Sequence, residues 1–215
     1  MKKEVAVEKS LKTLYLEILP IIKKRFLEFD ALKKSGNQRD FLKELVFCLM
    51  TPQSKAKTCI ATNDLLFQHS DILDLSTEQI ADIIKNVRFR NNKARYIKNA
   101  AEKFKDKNIK NTLLNLKNSH KMRLWLVDSI KGLGFKEASH FLRNTGFGYN
   151  LAILDRHILK NLFQAGVIAD IPKVLSPKLY LSIEKDMEKF AEKIEIPMHH
   201  LDFVFWHKQT KEILK

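Results

Sequence analysis

Residues 130–138 have the sequence Ile-Lys-Gly-Leu-Gly-Phe-Lys-Glu-Ala and lie between two segments with apolar residues at helical spacing. A helix, two glycines separated by one apolar residue, and a second helix form the pattern of a helix–hairpin–helix motif. Gly132 and Gly134 permit positive φ angles and let the backbone approach a ligand closely. Backbone N–H groups and the dipole of the second helix would then attract a phosphate. An ordinary turn would also explain the glycines, but the flanking lysines favour phosphate binding.

Lys136 lies in the first turn of the second predicted helix. The positive end of a helix disfavours an ammonium group, and partial burial would disfavour it further. A neutral lysine amine can attack carbon and form a Schiff base. Taken by itself, however, this position favours a lysine that contacts phosphate or solvent over a catalytic one.

Asp155 makes a catalytic interpretation of Lys136 stronger. It follows the apolar residues 152–154 and precedes a predicted helix, so we expect it to be an N-cap. A capping carboxylate is held rigidly, and its charge could stabilise a cation that develops at C1′ of a deoxyribose. It could also orient or deprotonate the lysine.

Composition limits the fold and the partners of the chain. Its 215 residues suffice for one large domain or two small lobes, and the scarcity of glycine (6) and proline (5) favours helices with short connections. The formal net charge of +14 predicts a polyanionic partner. Nucleic acid is favoured, although an anionic membrane or merely a lysine-rich surface would also explain the charge.

Other sequence features exclude several classes of protein. The two cysteines, Cys48 and Cys59, cannot supply a four-thiolate cluster. The sequence has neither an apolar signal core at its start nor about 18 consecutive apolar residues, so we expect a soluble intracellular protein without a membrane partner.

Apolar periodicity predicts an all-helical chain. Pro20 should kink or break the first helix, and residues 76–79 should form a capping box. The Lys/Asn-rich residues 105–119 are the best candidate for a connection between lobes. The predicted helices cover residues 8–28, 38–50, 54–69, 77–87, 93–105, 120–130, 135–145, 155–163, 176–192 and 198–213.

Residues 130–144 and 152–158, with Asp155 placed 19 positions after Lys136, resemble the helix–hairpin–helix DNA glycosylase superfamily. Within it they are similar to the type 2, archaeal-style 8-oxoguanine DNA glycosylase/AP lyases, and the similarity runs from about residue 38 to the end. The loop before Asp155 contains glycines but no proline, as expected of type 2. Absence of four cysteines near the C-terminus argues against the endonuclease III branch.

The resemblance implies the HhH-GPD glycosylase fold, which is all-α with two helical lobes and the hairpin at their junction. It suggests one glycosylase unit over residues 1–215, with one lobe over about 30–118 and the other over about 1–29 plus 119–215. The implied reaction is excision of 8-oxoguanine through a lysine Schiff base, followed by β-elimination at the abasic site.

The resemblance also implies roles for individual residues. Lys136 would be the Schiff-base nucleophile and Asp155 the assisting carboxylate. Gln53, in the segment 49–54, would fill the gap left by a flipped base. Phe89 would be the wedge inserted into the opposite strand, and His157 would touch backbone phosphate.

Two C-terminal residues are implied to select the base. Lys215 is the last residue, and its terminal carboxylate could accept the N7–H that only the oxidised base carries. Trp206 would stack on the extruded base, although it also lies in an apolar run that suits a core position.

The implied partner is double-stranded DNA containing an oxidised guanine, and no metal or other cofactor is expected. We expect a monomer in a prokaryotic cytoplasm, associated with the nucleoid. Two alternatives stay open at this point. The same scaffold could act on an oxidised pyrimidine or a mismatched adenine, or the chain could be a non-catalytic DNA-binding module.

Overall fold

The computed structural model describes residues 2–69 and 71–214, and this part of the chain contains helices and no strand. The all-α prediction is therefore confirmed. The helices are α1 (Lys2–Ser35), α2 (Gln38–Met50), α3 (Ala56–Leu66), α4 (Thr77–Ile83), α5 (Arg90–Lys103), α6 (Ile109–Leu116), α7 (Ser119–Ser129), α8 (Phe135–Asn144), α9 (Arg156–Gln164), α10 (Pro177–Lys193) and α11 (Met198–Thr210), with a short 3-10 helix at Ile72–Asp74.

The first helix is longer than the sequence suggests. Pro20 lies inside α1, which continues through it, so the predicted break at Pro20 is wrong and a kink there stays a prediction. Pro20 is exposed, and water can therefore satisfy the carbonyl that loses its hydrogen bond. The predicted capping box is confirmed: the Ser76 N–H donates to Gln79 Oε1 at 2.7 Å, and the Gln79 N–H donates to Ser76 Oγ at 3.2 Å.

Two hydrophobic clusters hold the helices together. The first contains the buried faces of α2 to α8, and the second joins α1 to α9, α10 and α11. Phe141 of α8 belongs to the first cluster, whereas Phe135, at the start of the same helix, packs against the second. The start of α8 therefore lies where the two clusters meet. A lobe boundary near residue 118 stays a prediction.

Large aromatic side chains contribute much of the packing energy. Phe41, Phe47 and Phe141 are fully buried in the first cluster. Truncating any one of them to alanine would cost about 3–5 kcal/mol, because the surrounding helices cannot fully close the cavity. The elements that carry the hairpin are thus fixed by a rigid core.

A buried polar network holds the backbone that leads to α9. Arg123 and Glu184 form a paired contact, with Nη1–Oε1 and Nη2–Oε2 distances of 2.7 and 2.8 Å. Glu184 also accepts the Ala152 N–H at 2.7 Å. The Tyr180 hydroxyl donates to the Ala152 carbonyl at 2.7 Å and accepts the Leu154 N–H at 3.2 Å. The loop from α8 to α9 is therefore anchored on α10.

No helix in the described ranges is both long and apolar enough to cross a bilayer.

Candidate active site

The hairpin between α7 and α8 has the predicted form. Gly132 has a φ of +98°, and a Cβ built there would lie 2.4 Å from Cδ2 of Tyr96. Both conformation and space therefore require glycine at this position. Leu133 is buried and anchors the turn. Gly134, in contrast, has an extended backbone with φ −96°, and its N–H donates to Glu137 Oε2 at 3.3 Å as α8 begins.

A cavity of about 880 Å³ opens beside the hairpin. Its walls come from the start of α8, the start of α9, the end of α11 and the loop that follows α2. Five predicted site residues line it: Gln53, Lys136, Asp155, His157 and Trp206. The cavity is of the size that ordinarily holds a small organic ligand.

Lys136 projects from the first turn of α8 into this cavity. Its side chain is about 21% exposed, and Nζ lies 3.5 Å from Thr51 Oγ1 and 3.6 Å from Glu137 Oε1. Both distances exceed those of strong charge-assisted hydrogen bonds. The amine is thus shielded from bulk solvent but only loosely held.

Asp155 is the N-cap of α9, as the sequence predicts. Its Oδ1 accepts the N–H groups of His157 and Ile158, each at 2.8 Å. Two such bonds fix the carboxylate at the positive end of the helix. Because capping uses Oδ1, Oδ2 is the oxygen that can act on a substrate.

His157 and Trp206 form a pair on the wall of the cavity. Their ring centroids are 4.9 Å apart and their planes are nearly perpendicular at 79°. Nε1 of Trp206 is buried without a hydrogen-bond partner among the described residues. The indole therefore offers a ring surface and an unused donor near the cavity.

A buried ion pair in the cavity wall was not found by sequence reasoning. Arg143 and Asp202 lie 3.3 Å apart, and the guanidinium sits 4.2 Å from the ring centroid of Phe203 and 5.1 Å from that of Phe29. Burial is the main cause that raises the pKa of Asp202 to about 6; the charge of Arg143 opposes this rise, and that of Asp155 adds to it. The position of Arg143 directly after the apolar Phe141 and Leu142 was the available sequence signal.

Gln53 and Phe89 are both held in left-handed backbone conformations, with φ of 54° and 60°. Gln53 lines the cavity. Phe89 precedes α5, borders a shallower depression beside Asn91 and is 52% exposed. The Arg88 guanidinium lies 4.8 Å from the centre of the Phe89 ring.

Lys93 is a second residue that sequence reasoning missed. It is only 4% exposed, and Nζ donates to Met50 O at 2.7 Å, Pro52 O at 2.6 Å and Ser54 Oγ at 3.0 Å. Burial lowers the pKa of Lys93 to about 8. The neighbouring charges act in both directions: Cys59 and Glu137 raise this pKa, and Lys136 and Arg88 lower it. Its position four residues before the buried Ile97, on the same face of α5, was the available sequence signal.

The C-terminal segment reaches the same cavity. Glu212 and Leu214 line it, and Glu212 forms an ion pair with Lys57. Lys215, predicted to recognise the base, lies outside the described residues.

A family model described as 8-oxoguanine DNA glycosylase matches residues 22–196. The chain belongs to this family. Among curated relatives, an 8-oxoguanine DNA glycosylase/AP lyase of Fusobacterium nucleatum is 42% identical over 205 residues, covering 94% of each chain. The Methanocaldococcus jannaschii protein of the same name is 38% identical, covering 93% of this chain and 94% of its own.

Solved structures of the 8-oxoguanine DNA glycosylase family agree with this assignment. The M. jannaschii glycosylase/lyase in complex with a 15mer DNA containing 8-oxoguanine has a TM-score of 0.89 at 36% identity, covering 98% of this chain and 100% of that one. The Thermotoga maritima 8-oxoguanine DNA glycosylase has a TM-score of 0.87 at 30% identity, covering 99% of this chain and 100% of that one. The family resemblance and the helix–hairpin–helix fold are thus confirmed, while the roles of single residues stay predictions.

Proposed function

We propose that the chain excises 8-oxoguanine from double-stranded DNA and then cleaves the backbone at the abasic site. One observation carries this proposal: Lys136 and Asp155, each in or beside the first turn of a helix, line a single cavity next to a hairpin suited to DNA phosphate. The chain is similar over nearly its whole length to a glycosylase/lyase in complex with DNA containing 8-oxoguanine, and this similarity supports 8-oxoguanine as the substrate.

Electrostatics favour a DNA partner. The net charge of +14 would attract a duplex and release its condensed counterions. N–H groups at the start of α8 follow Gly132 and Gly134 and can bind a backbone phosphate. His157, beside the cavity at the start of α9, is suited to a second phosphate.

In the proposed chemistry the damaged nucleotide enters the cavity, and the Lys136 amine forms a bond to C1′ of its deoxyribose. The glycosidic bond breaks, and its electron pair leaves with the base, which takes up a proton. Asp155 stabilises the positive charge that develops at C1′. The C1′–O4′ bond then breaks as the nitrogen electron pair forms the imine, and O4′ takes up the proton that the nitrogen loses. Water accepts a C2′ proton, and the C3′–O bond breaks with its electron pair leaving on the phosphate.

Base selection would use the far side of the cavity. Trp206 offers a ring face for stacking, and its pairing with His157 fixes the orientation of the indole. Leu214 lines the cavity, and the role of Lys215 in selecting 8-oxoguanine stays a proposal that rests on the family resemblance. We further infer a monomer that acts at the nucleoid.

Trapping with sodium borohydride tests this function. The wild-type protein should form a covalent band with an 8-oxoguanine duplex, because borohydride reduces the imine to a stable amine. Lys136→Gln should give no band and retain duplex binding, whereas Lys160→Gln, which removes an exposed lysine of α9, should still give it. Equal binding to all duplexes without any band would instead support a non-catalytic DNA-binding module. Activity on oxidised pyrimidines above that on 8-oxoguanine would reassign the substrate.

A further inference from the structure

Two residues proposed to enter the DNA, Gln53 and Phe89, come from separate parts of the chain, and each has a strained backbone. Non-glycine residues rarely adopt the φ values of 54° and 60° found here. Such conformations persist only where surrounding contacts enforce them, and they concentrate at functional sites. The contacts that enforce them therefore bear on how the protein opens a duplex.

The 51–54 loop carries Gln53, and the buried side chain of Lys93 donates hydrogen bonds to this loop. The amine donates to carbonyls on both sides of Thr51, those of Met50 and Pro52, and to the hydroxyl of Ser54. An ammonium group has three N–H donors, so these three acceptors use all of them. Gln53 lies between two of the three anchoring points.

Phe89 is attached to the same anchor. The Lys93 N–H donates to the Phe89 carbonyl at 3.1 Å in the first turn of α5. Side chains on a helix lean toward its N-terminus, and this brings the Lys93 amine back to the end of α5 that carries Phe89. In addition, the Arg88 N–H donates to Ser54 Oγ at 3.1 Å, so one hydroxyl accepts from both Arg88 and Lys93.

We propose that Lys93 is a positioning residue that, together with Ser54, fixes the spacing between Gln53 and Phe89 and so allows the protein to extrude the damaged base. The inference rests on the proposed function. Lys93 itself does not line the cavity and is buried, so it acts through the loop and not on the substrate. It should matter most for unstacking a paired base, and little once the base is already gone.

Lys93→Met tests this separation, because methionine fills similar space without donors. We expect single-turnover excision of 8-oxoguanine to fall by about 10- to 100-fold, since small displacements of positioning groups cost rates of this order. β-Elimination at a preformed abasic site, which has no base to extrude, should stay within about threefold of wild type.

Lys98→Met is the matched control. Lys98 is on the same helix and also donates to two carbonyls, those of Leu73 at 2.7 Å and Leu75 at 2.9 Å, but it does not touch the 51–54 loop. It should lower the melting temperature by a similar amount while leaving both rates near wild type. Equal losses of excision in the two variants, or parallel losses of excision and elimination in Lys93→Met, would overturn the role of Lys93.

A spectroscopic signal reports extrusion directly. In the Lys136→Gln variant, which cannot react, the fluorescence of a 2-aminopurine placed beside the lesion should increase on binding, because the bases around it unstack. Adding Lys93→Met should remove most of that increase in fluorescence. An unchanged increase would contradict the inference.

If Lys93→Met does not fold, Ser54→Ala applies the same test, with excision reduced about 3- to 10-fold and elimination preserved. A wild-type chain that cleaves neither the 8-oxoguanine duplex nor the duplex with a preformed abasic site would overturn the proposed function as well. This outcome is distinct from one in which only the proposed role of Lys93 is contradicted.

Discussion

The starts of α8 and α5 each direct a lysine amine at the 51–54 loop, but the two amines are held in opposite ways. Lys136 Nζ has its nearest polar neighbours at 3.5 Å (Thr51 Oγ1) and 3.6 Å (Glu137 Oε1). Lys93 Nζ has three acceptors within 3.0 Å. A lysine whose amine makes three short hydrogen bonds is suited to holding a loop in place. A lysine with only long polar contacts at the edge of a cavity can turn its amine toward a substrate.

Lys136 and Lys93 also differ in burial, and Lys136 is the more exposed of the two. The side chain of Lys136 is about 21% exposed, and Lys93 is 4% exposed. A substrate can reach the first amine from the cavity, while the second is enclosed by the loop that it supports. The difference supports our proposals that Lys136 attacks C1′ and that Lys93 organises the loop.

Replacing Lys136 with arginine should have the largest effect. Lys136→Arg keeps the positive charge and most of the length, but a guanidinium group does not act as a nucleophile at neutral pH. We expect excision to fall by at least about 10³-fold, as for removal of other nucleophiles, with duplex affinity nearly unchanged. Single-turnover kinetics and a binding titration measure the two quantities. Substantial excision by Lys136→Arg would remove the contrast between the two lysines.

Asp155→Asn should have the next largest effect. Asparagine caps helices as well as aspartate does, so the melting temperature should change little. Loss of the charge near C1′ should slow excision by about 10²- to 10³-fold. Asp155→Ala should slow it similarly and also cost about 1 kcal/mol of stability through the lost cap. A variant Asp155→Asn with nearly normal excision would reduce Asp155 to a cap alone.

Lys215 extends the comparison to a third lysine, which is proposed to recognise the base and not to react with the sugar. Deletion of Lys215 should lower the preference for 8-oxoguanine over guanine by about 10-fold, as expected for loss of one discriminating hydrogen bond. Lys215→Gln removes the amine but keeps the backbone of this residue, and it should retain most of the preference. Competition between the two duplexes measures it. An unchanged preference after deletion would exclude the C-terminal role.

The smallest expected effect is a pH dependence of stability. Burial lowers the pKa of Lys93 from 10.5 to about 8 in the folded chain. Between these values the unfolded chain binds a proton that the folded chain does not, so the contribution of Lys93 to stability should increase as the pH rises through about 8. The urea midpoints of wild type and Lys93→Met, measured from pH 7 to 9.5, should therefore diverge in favour of wild type. A constant difference would mean that the Lys93 pKa is not lowered.

The regular parts of this molecule could be predicted from the sequence because they depend on local signals. Apolar periodicity located ten of the eleven α-helices in the described part of the chain, and the glycines at 132 and 134 located the hairpin. It missed α6 (Ile109–Leu116), because the Lys/Asn-rich composition of residues 105–119 predicts a polar connection, whereas Ile109 and Leu113 pack into the first cluster. Asp155 could be recognised as a cap because it directly precedes a helix. The continuation of α1 through Pro20 could not be predicted, since local propensity does not reveal that Pro20 faces solvent within a long packed helix.

The long-range polar contacts could not be predicted in this way. Lys93 meets Pro52 across 41 residues, and Arg123 meets Glu184 across 61. In the sequence, Lys93 and Arg123 are two of 39 lysines and arginines, and nothing along the chain marks the residues that they contact. The spacing of Lys93 and Ile97 places Lys93 on the buried face of α5, but which distant groups a buried cation meets depends on how the helices pack.

The most direct test of the central claim is to identify the amine that reacts. The complex trapped by borohydride on an 8-oxoguanine duplex would be digested, and the peptide carrying the sugar–phosphate would be sequenced by tandem mass spectrometry. We predict that the adduct lies on Nζ of Lys136. An adduct on Lys93, on another lysine or on the N-terminal amine would contradict the assignment of the nucleophile.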